Sequence, residues 1–320
     1  MIAGLREGRF EGNVDEMVYR PIKSDATRMA ALASGELDLV LDPPLQDIPR
    51  LQADPKIKVV QGAENRVLFL VLDQEREELK YSNVKGKNPL KDVRVRQAIY
   101  QAIDIRAIQK QVMRGLSRPT GAMIPTERVS YPEIEPRLLP FDIASAKSKL
   151  AEAGYPKGFE LRMECPNNRY VNDERICIAI AGMLAKVGID MKVNAMPRAQ
   201  FFQKVDNFDL SMHLYGWGGS AVDPGFTLTP VIHSRDGKGR GDFNSGRYRD
   251  DVLDRLVEQA EVEMDVPKRR AIMLEAFKRV RDNFYFLPLH RQVIPWAMRA
   301  GVTVVHRADN TIEPLWVRLD

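Results

Sequence analysis

The sequence predicts an α/β fold that contains a parallel sheet. Between Phe159 and Gly219 the chain reads as strand, loop, helix, strand, helix and strand, in that order. Strands that are joined by crossover helices run parallel, because a long connection is needed to return the chain to the same end of the sheet. The 320 residues are 44% apolar, which is enough to bury one large core or two ordinary ones.

The elements before this unit are marked by capping residues and apolar runs. Asp25 can cap a first helix that ends at Gly35. The run LDLVL that follows predicts a buried strand. Two further separate strands are predicted in IKVVQ and RVLFLVLD.

The next segment is predicted to contain two helices separated by a loop. Asp92 can cap one long amphipathic helix that extends to Gly115. Residues 119–140 are rich in proline and too irregular for a helix or strand, so they predict an ordered surface loop. Asp142 can cap the second helix, which ends at Gly154.

The last third of the chain is predicted to contain two helices followed by strands. The helices are amphipathic and charged, and they lie in DVLDRLVEQAEVEM and KRRAIMLEAFKRVRDNF. The strands lie in FLPLHRQVIPWAM and GVTVVHR.

Composition excludes several classes of function. The net charge is +4, and no Lys/Arg block has the aromatic interleaving of a nucleic-acid surface, so nucleic acid is not an expected partner. The sequence has no GxSxG elbow, HExxH motif, phosphate-binding loop or Cys/His cluster. It therefore predicts a binding protein rather than an enzyme, with no cofactor and no metal site.

The two cysteines leave two interpretations open. Cys165 lies at the end of a predicted strand and Cys177 lies inside a predicted helix. Buried free thiols are the commoner state of isolated cysteines, and we expect that state here. A disulfide is the alternative, and it requires that the strand and helix pack closely in an oxidising compartment.

Candidate recognition residues follow the first and third strands of the central unit. Ligands bind outside the carboxyl ends of the strands in open parallel sheets, so we expect the two loops to meet at one edge. Arg169 can present its guanidinium to a substrate carboxylate, with Tyr170 stacking beside it. An ion pair between Arg169 and Asp173 is the alternative.

The loop after the third strand offers a flat apolar wall. Gly216 precedes Trp217 and glycines follow it, so the backbone can approach a ligand closely while the indole contacts it. A lid over the core is the alternative role for this tryptophan. Ser220 and Asp223 lie further along the same loop, and Asp223 precedes a proline, where an aspartate more often shapes a turn than contacts a ligand.

Five segments resemble, in order and spacing, the family 5 extracellular solute-binding proteins, the receptors of peptide-, dipeptide- and nickel-type ABC importers. The segments are SGELDLVL, NPLKDVRVRQAIYQAID, DIASAKSKLAEAGYPKGFEL, GWGGSAVDP and NFYFLPLH. The resemblance covers essentially all 320 residues. It implies a periplasmic-binding-protein-like, type II bilobal fold. Family members are longer, so the expectation is one complete lobe and one truncated lobe.

The resemblance also implies where the lobes and the hinge lie. Residues 1–72 and 297–320 form the remaining part of the first lobe, and residues 73–296 form the second. The hinge strands lie near 66–73 and 286–297. A small polar solute, such as a peptide or a peptide-like compound, is captured between the lobes by hinge closure.

The family further implies delivery of the solute to a membrane permease. Export is implied too, to the periplasm or to a lipid-anchored extracellular position, with a signal peptide encoded upstream because this chain lacks one. The same truncation leads us to expect weak ligand binding. An alternative is a truncated receptor that acts as a protein-interaction module without high-affinity ligand binding.

Two positions depart from the family pattern. Some peptide-binding members carry an aspartate three residues after the loop tryptophan, where this chain has Ser220. Some carry an arginine three residues before it, where this chain has Leu214. A neutral serine cannot neutralise the ammonium group of a peptide in a closed cleft. Capture of ordinary dipeptides by that contact is therefore not expected.

Overall fold

The computed structural model describes residues 11–129, 131–219 and 222–320. The chain divides into two compact units. The larger unit is Arg66–Arg291, and the smaller one consists of the residues up to Asn65 together with Gln292–Asp320. Both division points lie within long strands, and the predicted lobe limits at residues 72 and 297 fall on the same two strands. The hinge role of these strands stays a prediction.

The smaller unit is built mainly from short elements. They are α1 (Asp25–Ser34), β1 (Leu39–Leu41), α2 (Ile48–Ala53), the first part of β2 (Ile57–Leu72), the last part of β7 (Phe286–Arg299), β8 (Val302–Val304) and β9 (Val317–Leu319). Strand β1 pairs antiparallel with β7, and β8 pairs antiparallel with β9. A buried cluster that includes Trp296, Met298 and Val302 forms the core of this unit.

Two details of the smaller unit correct the sequence-based expectations. The cap of α1 is Ser24, whose hydroxyl accepts a hydrogen bond from the Thr27 amide, and Asp25 is already helical. The runs IKVVQ and RVLFLVLD form the single strand β2. The polar residues between the runs stay extended because the His306 ring packs on Gly62 and the buried Glu64 accepts a hydrogen bond from Gln292.

The larger unit contains the central sheet and most of the helices. Its elements are α3 (Val93–Ala102), α4 (Ile105–Ala107) with a π-helical turn (Ile108–Val112), β3 (Ser117–Pro119), α5 (Ile143–Glu152), β4 (Phe159–Pro166), α6 (Asp173–Ala185), β5 (Ile189–Met196), α7 (Arg198–Asp206), β6 (Met212–Gly218), α8 (Gly225–Thr227) with a π-helical turn (Leu228–Ile232), α9 (Asp251–Val262) and α10 (Val266–Asp282).

The predicted three-strand unit is confirmed. Strand β4 lies between β5 and β6 and runs parallel to both. Strand β6 also pairs antiparallel with β2, from Arg66 opposite Gly218 to Leu72 opposite Met212. The strand order in this part of the sheet is β7-β2-β6-β4-β5. The parallel order places the ends of β4 and β6, which precede the two candidate loops, at the same edge.

One face of β2 and β6 packs on the main core of the larger unit. Val67, Phe69 and Tyr215 lie in this core, and the Phe69 ring meets Phe286 edge to face, with ring centroids 5.4 Å apart. Helix α10 contributes Phe277 to the same cluster. This face of the sheet is called the core face below. The opposite face, which carries the equally buried Leu68, Leu70 and Leu72, is called the outer face.

The long helix predicted after Asp92 is broken, which corrects that expectation. Helix α3 ends at Ala102, and Ile103 is extended and buried. Asp104 then caps the next turn, because its carboxylate accepts a hydrogen bond of 2.9 Å from the Ala107 amide. An aspartate can satisfy the free N–H groups at a helix start, so a capping residue within an apolar-periodic run can also mark a break.

The cap predicted at Asp142 is present and supports a stability test. Its carboxylate accepts a hydrogen bond from the Ser145 amide at 2.9 Å, at the start of α5. Asp142→Ala should lower the free energy of unfolding of the larger unit by about 1 kcal/mol, measured by urea denaturation. Asp242→Ala removes an exposed aspartate outside the helices and should change it by less than about 0.5 kcal/mol. Equal effects of the two substitutions would contradict the capping role.

The two cysteines form a disulfide, so the expectation of free thiols is wrong. Cys165 lies near the end of β4 and Cys177 lies in α6, with Cα atoms 6.6 Å apart. The helix packs on the strand that precedes it, which brings the thiols together. The bond closes a loop that contains Arg169 and Tyr170.

In the part of the chain that the structure describes, no helix has the length and apolar composition of a membrane span.

Candidate functional site

The loops after β4 and β6 meet at the carboxyl edge of the sheet. The Tyr170 hydroxyl accepts a hydrogen bond of 2.9 Å from the Gly216 amide. Tyr170 is only 6% exposed, and burial raises the pKa of its hydroxyl. The side chain predicted to stack on a ligand is therefore buried, and its polar atom connects one loop to the neighbouring strand.

Gly216 is required by this contact. A Cβ atom added at Gly216 would lie 2.6 Å from Cε1 of Tyr170 and 2.9 Å from its Cζ. Side-chain carbons do not approach this closely without displacement. The close approach that the sequence predicted at this glycine is thus made by a tyrosine ring of the same chain.

Asp173 organises the loop that carries Arg169. Its Oδ2 atom accepts hydrogen bonds from the amides of Arg169 at 2.9 Å and Tyr170 at 3.0 Å. Its Oδ1 atom accepts one from the Glu174 amide at 3.0 Å. Burial raises the pKa of Asp173, and these amides oppose the rise. The described contact of Asp173 with Arg169 is therefore to the backbone amide, and the ion pair between their side chains stays an alternative. The guanidinium carbon of Arg169 lies 5.1 Å from the Tyr170 ring centroid.

Gly216 and Trp217 face opposite sides of the sheet, because successive residues of a strand alternate between its faces. Trp217 pairs with Val67 on the core face. Its ring stacks on Phe226, with centroids 5.0 Å apart, and contacts Phe243 at 4.9 Å. Its Nε1 atom donates a hydrogen bond of 3.0 Å to the Phe226 carbonyl. The N–H group of the indole is therefore hydrogen-bonded within the protein.

Sequence reasoning missed Phe226 and Phe243. Phe243 is 45% exposed, so the aromatic cluster with Trp217 reaches the surface. No local signal identifies these residues, because they belong to segments outside β6. The alternation of residues along a strand, by contrast, follows from the sequence, and it could have predicted that Gly216 and Trp217 lie on opposite faces of the sheet.

Asp223 shapes a turn and anchors it. Its Oδ1 atom accepts a hydrogen bond of 2.7 Å from the Gly225 amide, which matches the turn role preferred from the sequence. Both carboxylate oxygens also pair with Arg269 of α10, at 2.7 and 3.0 Å. This ion pair and backbone hydrogen bond lower the pKa of Asp223. Ser220 lies outside the described residues, so its role stays a prediction.

The histidines belong to different parts of the fold. His213 and His290 are fully buried, and burial lowers the pKa of His213 to about 3 and that of His290 to about 4. Within residues 11–129, 131–219 and 222–320, no group of three or more His, Cys, Asp or Glu side chains could hold a metal ion.

One known protein family matches most of this chain. The family described as bacterial extracellular solute-binding proteins, family 5 Middle, matches residues 8–239. The chain belongs to this family. The resemblance seen in the five sequence segments is thereby confirmed. Because the family is one of solute-binding proteins, the prediction of a binding protein rather than an enzyme is confirmed as well.

The chain is similar to curated proteins that are about twice its length. Heme-binding protein A of Haemophilus influenzae is 27% identical over 288 residues, which is 88% of this chain and 49% of the relative. Glutathione-binding protein GsiB of Escherichia coli K12 is 23% identical over 312 residues, which is 96% of this chain and 56% of the relative. The chain thus spans about half the length of the curated relatives it matches.

Solved structures share the fold. The periplasmic binding protein DppA of Helicobacter pylori, in complex with the peptide STSA, has a TM-score of 0.80 and 23% identity over 94% of this chain and 56% of that one. The dipeptide-binding protein of Pseudoalteromonas sp. SM9913, in complex with Met-Leu, has a TM-score of 0.81 and 21% identity over 94% of this chain and 58% of that one. The predicted α/β, periplasmic-binding-protein-like fold is confirmed.

Proposed function

We propose that this chain is the solute-binding component of an ABC importer and that it captures a peptide or a peptide-like compound. Family membership carries the proposal. The contact between Tyr170 and Gly216 at the carboxyl edge supports the location of the site, because ligands bind at that edge in parallel sheets. Similar folds have been solved with the peptides STSA and Met-Leu.

The candidate residues take different roles in this proposal. Arg169 holds a carboxylate of the solute through its planar pair of N–H donors. Tyr170 and Gly216 hold the Arg169 loop against β6. Trp217 forms an aromatic wall with its neighbours, and Asp223 fixes the turn that follows it. A ligand-binding role of Ser220 belongs to the proposal too, although a neutral serine cannot neutralise an ammonium group.

The wider mechanism is also part of the proposal. Residues 1–72 with 297–320 act as one lobe and residues 73–296 as the other, and hinge closure traps the solute for delivery to a membrane permease. The protein works in the periplasm or on a lipid anchor outside the cell. The Cys165–Cys177 disulfide supports an oxidising compartment. The interaction-module alternative gains no support from the family match.

The proposal is tested by thermal unfolding and calorimetry with a library of di- and tripeptides. A peptide at 100 times its Kd should stabilise the protein by about 2.7 kcal/mol and raise Tm by about 5–10 °C. Arg169→Gln should weaken binding of that peptide about 10- to 100-fold, because it removes hydrogen bonds to a charged group. Arg255→Gln, an exposed arginine on α9, is the control and should leave affinity unchanged.

Two results would contradict this proposal. One is a library in which no peptide stabilises the wild-type protein. The other is an Arg169→Gln variant that binds peptide as tightly as the wild type. Native mass spectrometry of the purified protein would add the mass of any solute that it retains.

A further inference from the structure

Three aromatic rings form an apolar surface at the carboxyl end of β6. Trp217 is the last residue but one of this strand, and its ring contacts those of Phe226 and Phe243. Gly219 allows Phe226 to pack closely, since an added Cβ atom would lie 3.3 Å from Cζ of that ring. Trp217 and Phe226 are half-buried, and Phe243 is 45% exposed. These three rings are called the aromatic patch below.

The backbone holds the exposed ring of Phe243 in place. The Phe243 amide donates a hydrogen bond of 2.8 Å to the carbonyl of Pro230. The next residue, Asn244, is fully buried, and its Nδ2 atom donates to the carbonyls of His233 and Tyr248 at 3.2 Å each. A ligand that packs on a ring fixed in this way does not have to order the loop, which lowers the cost of binding.

The patch offers ring surface rather than hydrogen bonds. The one donor of the three side chains, Nε1 of Trp217, is already bonded to the Phe226 carbonyl. A polar group of a ligand would lose its hydrogen bonds to water against such a surface, whereas an apolar group gains by burial. An aromatic group gains more than an aliphatic one, because rings attract one another in stacked and edge-to-face arrangements.

The charges near the patch favour a neutral occupant. The segments that carry Phe226 and Phe243 each contain a charged residue that is paired with a neighbouring helix. These ion pairs are Asp223–Arg269 and Arg240–Glu261. Asp242 and Arg235 are both exposed and carry opposite charges, and Arg235 donates a hydrogen bond of 2.8 Å to the Asp242 carbonyl. Water screens exposed charges, so they contribute little to selecting an ion.

We propose that Phe243 gives this protein a preference for a solute with an aromatic side chain, which packs on the aromatic patch. The patch lies at the end of β6, and the loop that carries Arg169 is bonded to the same part of this strand through Tyr170 and Gly216. The inference rests on the proposed function, because it names the class of peptide that binds at this edge. It adds Phe243 as the residue that determines the preference.

The test compares four dipeptides that differ only in the second side chain. Ala-Phe, Ala-Leu, Ala-Lys and Ala-Ala are titrated by calorimetry into the wild-type protein. The wild type should bind Ala-Phe about tenfold or more tightly than Ala-Ala, and about threefold or more tightly than Ala-Leu. The terminal carboxylate is common to all four, so its contact with Arg169 does not contribute to these differences.

Three variants assign the preference to its residue. Phe243→Ala should weaken binding of Ala-Phe about tenfold and leave that of Ala-Ala within about twofold. Phe243→Tyr keeps an aromatic ring and should retain the preference. Phe141→Ala is the matched control, because Phe141 is 46% exposed and precedes α5, outside both loops of the candidate site. It should bind all four dipeptides as the wild type does.

The outcomes separate the inference from the proposed function. Equal binding of Ala-Phe and Ala-Ala by the wild type would overturn the inference and leave the peptide receptor standing. Ala-Leu or Ala-Lys bound as tightly as Ala-Phe would also overturn it, because the patch would then select any apolar group or a cation. In Phe243→Ala, an unchanged preference or equal losses for Ala-Phe and Ala-Ala would show that Phe243 is not the determinant. Binding of none of the four would contradict this inference, and the wider peptide library then decides the proposed function.

Discussion

Gly216→Ala is expected to destabilise the larger unit by about 2–3 kcal/mol and to weaken peptide binding about tenfold or more. The new methyl group would lie 2.6 Å from Cε1 of Tyr170, so the ring must move. This movement strains a buried contact and weakens the hydrogen bond between the Gly216 amide and the Tyr170 hydroxyl. The Arg169 loop, which this bond holds to β6, would shift away from the proposed site.

The chain provides a matched control for this substitution. Gly182 lies within α6, is exposed, and has no atom within 4 Å of an added Cβ. Gly182→Ala should therefore raise stability by about 0.5–1 kcal/mol, because alanine favours a helix interior over glycine. Urea denaturation gives both values, and calorimetry with a bound peptide gives the affinities.

A double substitution tests the cause. In a Tyr170→Ala background the ring is absent, so Gly216→Ala should cost less than about 0.5 kcal/mol. An unchanged cost in that background would show that the ring is not the source of the strain. Gly216→Ala with wild-type stability and affinity would contradict the assigned role of the contact.

Removal of the Cys165–Cys177 disulfide is expected to lower the free energy of unfolding by about 3 kcal/mol. The bond joins residues separated by 12 positions, and closing a loop of this size restricts the unfolded chain by about that amount. Both thiol positions are fully buried, so alanine at each leaves the surface unchanged. The variant Cys165→Ala/Cys177→Ala is compared with the oxidised wild type by urea denaturation.

The disulfide should also restrict the motion of the loop that carries Arg169. The amides of Arg169 and Tyr170 donate to Asp173, which starts the helix that the disulfide attaches to β4. In the double variant these two amides should exchange hydrogen faster, and peptide affinity should fall. Dithiothreitol should reproduce the stability loss in the wild type and have no effect on the variant, which serves as the control. A variant as stable as the oxidised wild type would refute the expectation.

The sequence by itself determined the elements whose signals are local. The central strand–helix–strand unit follows from apolar periodicity, and α5 begins where the Asp142 cap predicts. The parallel order of β4, β5 and β6 follows in turn from the crossover helices, and with it the meeting of the two loops at one edge. These inferences succeeded because periodicity, capping and crossover geometry depend on residues close together in the chain.

The tertiary structure decided the relations between distant segments. It joined two predicted strands into β2, broke the helix at Ile103 and paired the two cysteines. The continuity of β2 involves contacts with Gln292 and His306, and the disulfide depends on how a strand and a helix pack; a local pattern contains neither. Asp104 can be recognised in the sequence as a possible helix cap. The apolar periodicity on both sides of it nevertheless predicted one continuous helix.

The tertiary structure also decided which residues of the candidate site lie on which face of the sheet. Alternation along β6 separates Gly216 from Trp217, but only the pairing of β6 with β2 shows which face packs on the cluster that contains Phe69 and Phe286. That pairing places Trp217 against Phe226 and Phe243, and brings Arg66 to the face where Tyr170 lies. Register between distant strands is set by the packing of whole faces. The sequence therefore located the edge of the site, and the tertiary structure assigned its side chains to the two faces.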